Sequence, residues 1–82
     1  MNDRMNDLLA DLATAARWRD PARRREARTR LGLTQTQIAR HVGVTQPTIQ
    51  RWETGARHPR GGEARAYYEF LDVLETIPTD GT

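Results

Sequence analysis

Eighty-two residues leave room for one domain, because a chain of this size buries only about 60% of the surface its unfolded form exposes. A mean hydropathy of −0.82 keeps the core small, and without cysteine there are no disulfides, zinc–thiolate sites or thiol nucleophiles. The net charge of +2 is unevenly spread: residues 1–16 carry −2, residues 17–65 carry +8 and residues 66–82 carry −4.

All thirteen basic residues are arginine. A basic middle between acidic ends suggests a polyanion bound on one face, with solvated arginines as the plainer alternative. No run of about 20 apolar residues is present to span a membrane. The acidic start, with Asp3, Asp7 and Asp11, lacks a basic-then-apolar leader, so a cytoplasmic protein is expected.

The first predicted helix covers 2–18. Met5, Leu8, Leu9, Leu12, Ala15 and Ala16 recur at helical spacing and form one apolar stripe, while the three aspartates lie four apart on another face. Asp20-Pro21 opens a second helix over 21–31, with Asp20 as cap and Pro21 at the first helical position. Gly32 ends it. Ala27 and Leu31 face inward there, and the run Arg23, Arg24, Arg25 reads as a solvated face.

Thr34 and Gln37 form a capping-box pattern at the start of a third helix, 35–42, which Gly43 stops. Thr45 caps a fourth over 45–54, stopped by Gly55. Residues 56–62 read as loop, 63–76 as the last helix and 78–82 as a flexible tail. No segment alternates with period two, so no strand is expected. The fold is predicted to be all-α, with residues 1–77 as a single domain.

Residues 35–52 carry the strongest signal. Two short helices flank a tight turn; Ala39 is small enough for them to cross closely, and Gly43 tolerates the positive φ that the turn needs. Ile49 and Trp52 pin the second helix to the core by one side. The opposite side shows Gln46, Pro47, Gln50 and Arg51, a polar face able to enter a DNA major groove.

The run ARTRLGLTQTQIARHVGVTQPTIQRWETGARHP, residues 27–59, resembles the lambda-repressor/Cro-like (XRE) helix-turn-helix family. The small residue, the glycine turn, the TQ at two helix starts and the WE-x-G ending occur together. The resemblance implies a compact five-helix bundle, here with an extra N-terminal helix outside the shared region. It implies that Gln46, Pro47, Gln50 and Arg51 read bases. Glutamine would bond adenine, arginine would bond guanine, and proline would offer apolar contact. Gln35, Thr45, Arg57, His58 and Arg60 are the implied phosphate contacts, with Gln35 also bracing the reading helix. Arg28 and Glu53 match a structural ion pair behind that helix. Two residues depart from the pattern: proline is uncommon at position 47, and Trp52 is bulkier than the usual aliphatic residue.

The resemblance implies a sequence-specific double-stranded DNA-binding regulator of a bacterium, phage or plasmid, acting as a homodimer, with repression at an operator as the first expectation. Alternatives are an antitoxin that masks a toxin through its terminal helices, or a recombination or architectural factor. Catalysis lacks support, since serine and cysteine are absent and no glycine-rich phosphate loop is present. His41 and His58 have no ligand cluster near them, so no metal or cofactor is expected. Trp18, Tyr67, Tyr68 and Phe70 are of a type that stacks bases, but aromatics at helical spacing read first as core.

Overall fold

The computed structural model describes residues 3–79, which form five helices and no strand: α1 (Asp3–Arg17), α2 (Pro21–Thr29), α3 (Gln35–Val42), α4 (Gln46–Thr54) and α5 (Gly61–Thr76). The predicted start of the first helix at Asn2 and the tail residues 80–82 lie outside the described residues.

Local chemistry explains most helix ends. Asp20 accepts from the Ala22 N–H at 3.0 Å and places Pro21 at the first helical position. Thr34 and Gln37 form a reciprocal capping box, with bonds of 3.0 and 2.8 Å. At the end of α2, Gly32 N donates to Thr29 O and Leu33 N to Arg28 O, the paired bonds of a Schellman ending. Regular helix ends at Thr29, two residues before the predicted end, and Arg30, still in the αR region with its N–H on Glu26 O, caps it. The last helix starts two residues earlier than expected. Arg60 O accepts from the Ala64 N–H, and Gly61 takes φ +63°, so the glycine pair read as loop forms the first turn of α5.

The core is one cluster: Trp18, Ala27, Ile38, Ala39, Ile49, Trp52, Tyr67, Tyr68, Leu71 and Leu74. It lies among α2, α3, α4 and α5, and Trp52 and Tyr67 pack with ring centroids 4.7 Å apart at its centre. The aromatics Trp18, Tyr67 and Tyr68 are core residues, and Phe70 is half-buried against His41, their rings 4.5 Å apart.

α1 has no buried residue in its length and reaches this core through the partly buried Ala15 near its end. Its end is fastened to α5 through Asp72, which accepts from Trp18 Nε1 and Arg17 Nη2, both at 2.8 Å. Farther along, Asp11 lies 3.8 Å from Arg65, and a groove of about 500 Å³ remains between the two helices. Most of the apolar stripe of α1 is left open: Met5, Leu8, Leu9 and Leu12 are 55–57% exposed, so these four do not close the monomer core.

The reading of residues 23–25 as a solvated arginine face needs correction. Arg24 is 2% exposed, with Nε donating to Trp18 O (2.6 Å), Nη1 to Trp52 O (2.9 Å) and Nη2 to Arg19 O (3.2 Å). The physical reason is position. Arg24, Ala27, Arg28 and Leu31 follow the spacing of an inward helix stripe, and carbonyls left unpaired at the ends of α1 and α4 receive the guanidinium. Arg23 is also engaged, pairing with Glu75 at 2.9 Å and lying 5.0 Å from the Trp18 ring. Arg23 and Arg25 stay exposed as the solvated reading expects, and Arg25 has no ion-pair partner among the described residues.

Candidate nucleic-acid interface

The turn between α3 and α4 is built from small parts. Ala39 is 3% exposed at the crossing, and its carbonyl accepts from both Gly43 N (2.8 Å) and Val44 N (2.9 Å). Closing the chain this tightly requires φ +91° at Gly43, where a side chain would strain the backbone. Thr45 then caps α4 by accepting from the Thr48 N–H, and its hydroxyl also bonds that of Thr48 at 2.9 Å.

Three residues of α4 point into the core: Ile49, Trp52 and Glu53. Glu53 is a buried carboxylate with three donors. Arg28 Nε and Nη2 reach it at 2.6 and 2.8 Å, and Gln35 Nε2 at 3.0 Å. Hydrogen bonding to Glu53 is the main cause that raises the Arg28 guanidinium above its ordinary pKa, with burial opposing it. Arg28 also donates to Leu33 O at 2.7 Å. The relay continues outward, because Gln35 Oε1 accepts from Gln46 Nε2 at 2.7 Å. A buried ion pair thus orients the first side chain of α4 through one intervening glutamine.

The outer face of α4 presents Pro47, Gln50 and Arg51, all exposed, with Gln46 half-buried at its start. Pro47 lies in the first turn, where a missing N–H costs no helical bond. Beyond α4, Arg57 N donates to Arg51 O at 3.2 Å and Pro59 is buried, which fixes the connecting loop at both ends. Arg57, His58 and Arg60 are exposed on it. With Arg51 they border a cleft of about 480 Å³ that also meets Thr48 and Glu63. Among the described residues, Arg51, Arg57 and Arg60 have no acidic partner within ion-pair distance.

The other arginines of the basic middle are largely used within the fold. Arg17 and Arg23 pair with Asp72 and Glu75 of α5, and Arg30 donates to the carbonyls of Leu74 and Ile77 at its end. The acidic C-terminal segment therefore neutralises one flank and leaves unpaired charge around α4 and the following loop. Sequence reasoning missed Arg24. The signal was the spacing it shares with Ala27, Arg28 and Leu31, masked by its place in a run of three arginines.

No helix among the described residues is long and apolar enough to cross a membrane. No curated protein and no solved structure gives a significant match to the chain. The helix-turn-helix family model matches residues 25–76, more than half of the chain, and covers α3, α4 and the loop between them. The chain belongs to the XRE-type, lambda-repressor/Cro-like helix-turn-helix family of DNA-binding regulators.

Proposed function

We propose that the protein is a sequence-specific transcriptional repressor of a bacterium or its phage or plasmid, which occupies an operator as a homodimer and excludes RNA polymerase. The observation that carries this reading is the outer face of α4, polar and exposed, beside three arginines without acidic partners. Nine residues at 1.5 Å rise make α4 about 13 Å long, short enough to lie in a major groove.

Gln46 is the leading base reader. One of its two N–H groups is held by Gln35, and the other N–H and the oxygen suit the two edge atoms of adenine. Arg51 offers a two-pronged donor to guanine, Pro47 an apolar contact and Gln50 a further amide. Arg57, His58 and Arg60 hold backbone phosphate across the cleft. Thr45 and Gln35 lie at the two helix starts that approach the same strand. With so few base contacts per copy, two copies reading half-sites about 34 Å apart are needed for tight binding.

The test is selection of binding sites from random duplexes, with the mass of the complex measured. A shared half-site occurring twice per recovered duplex is expected. A folded protein that ignores every duplex at low salt overturns the reading. The antitoxin alternative draws on the exposed stripe of α1, and co-purification of the product of a neighbouring gene would favour it.

A further inference from the structure

We infer that α1 is the association helix, and that a second copy of this chain covers its stripe of Met5, Leu8, Leu9 and Leu12 with the same stripe. This deepens the dimeric reading above and rests on it.

Three observations converge. The spacing 5, 8, 9, 12 is that of a helix-pairing seam, and each of the four side chains is more than half exposed. Within the fold the stripe approaches α5 at one edge only, where Leu12 borders the groove between the two helices. α1 meets α5 through Asp11, Thr14 and Ala15 on its other flank, and no residue of α1 is buried. A lone helix of 15 residues is marginal in water and draws most of its stability from packing an amphipathic face, which here is the face left open.

Charge selects the occupant. The seam itself is free of charge. Asp3 and Asp7 stand on the far side of the helix, and Asp11, the acid nearest the seam, faces Arg65 of its own chain. Arg4, one turn before Leu8, borders the same edge of the seam as Asp11 but near the other end, so two identical copies packed antiparallel meet without opposing like charges, as a two-fold interface requires. Val73 on α5 and Ile77 just past its end are the other large apolar residues exposed among the described residues, but they are only two, beside the acids Asp72 and Glu75.

Area sets the strength. Fifteen residues make a helix about 22 Å long, and one helix pair lies at the small end of stable interfaces. Dissociation in the micromolar range is expected, so that DNA carrying two half-sites drives pairing.

The experiment is sedimentation velocity of the full chain without DNA over a micromolar dilution series, for wild type, Leu8→Glu/Leu12→Glu and Val73→Glu. Fluorescence of the buried Trp18 and Trp52 reports folding of each variant. Dimerisation of wild type and of Val73→Glu, and its loss in the folded α1 variant, are expected. A wild-type protein that stays monomeric throughout, or dimerisation that persists in the α1 variant or vanishes in Val73→Glu, overturns the inference. A parallel titration of the α1 variant with a duplex carrying one selected half-site separates the two readings. Retained one-copy binding leaves the DNA assignment intact, whatever the sedimentation shows.

Discussion

Glu53→Ala removes the acceptor on which Arg28 and Gln35 converge. The side chains of the pair are 11% and 2% exposed, so the guanidinium left behind is largely cut off from solvent. Breaking a buried pair from one side costs about 3–5 kcal/mol. Domains of this size have roughly 5–15 kcal/mol in total. At about 4–8 °C per kcal/mol, the melting temperature should fall by roughly 12–40 °C. Arg28→Met/Glu53→Leu fills the same space without charge, and such replacements range from neutral to about 4 kcal/mol stabilising. The double variant should therefore fold while binding DNA less well, because Gln35 loses its bond to Glu53 and holds Gln46 less firmly. Thermal unfolding by circular dichroism and binding by fluorescence anisotropy check the two halves. A single variant within about 0.5 kcal/mol of wild type, the range of an ordinary surface change, would refute the buried-pair argument. Full affinity and unchanged preference in the double variant would refute the relay.

Arg51→Ala should cost about 1–3 kcal/mol in binding and relax preference at one base position, measured by competition with single-substituted duplexes; equal weakening on all sequences would reassign it to phosphate. Arg57→Ala should weaken binding uniformly and lower the slope of log K against log salt by about one unit, and an unchanged slope would remove it from the interface. The buried Tyr67 hydroxyl has no protein partner among the described residues, so Tyr67→Phe should leave stability at neutral pH unchanged or raise it by about 1 kcal/mol. Burial first, and then the charge of Glu53, push the Tyr67 pKa up, whereas an unfolded tyrosine ionises near about 10. Stability is therefore whole below that pH and declines as pH rises beyond it, because the unfolded chain gives up the proton first. Tyr67→Phe should flatten this alkaline decline in pH-dependent urea melts.

The helical elements and the turn were legible because their signals are local. Caps at Asp20, Thr34 and Thr45, with glycine at 32, 43 and 55, mark ends without reference to the rest of the chain. The start of α5 was not, because Gly61-Gly62 reads as loop until one sees Arg60 O accepting from Ala64. The outward set on α4 could be read from its spacing against Ile49 and Trp52. Partners distant in sequence could not: which arginines meet Asp72, Glu75 or a bare carbonyl depends on how α1 and α2 lie against α4 and α5. Composition showed a basic middle of twelve arginines, and the fold holds much of that charge in internal contacts. The α1 stripe was visible as a pattern, but a pattern does not say whether its cover comes from within the chain.

Arg24 joins the end of α1 to the end of α4 through peptide carbonyls, with no carboxylate involved. Carbonyls take up no protons between mildly acid and mildly alkaline conditions, and contacts hidden from solvent are little screened by ions. Phosphate contacts at the rim respond in the opposite way, since each depends on displaced counterions. A rise in ionic strength should thus strip the protein from its site while the scaffold that aims α4 stays set, ready to rebind on dilution without refolding.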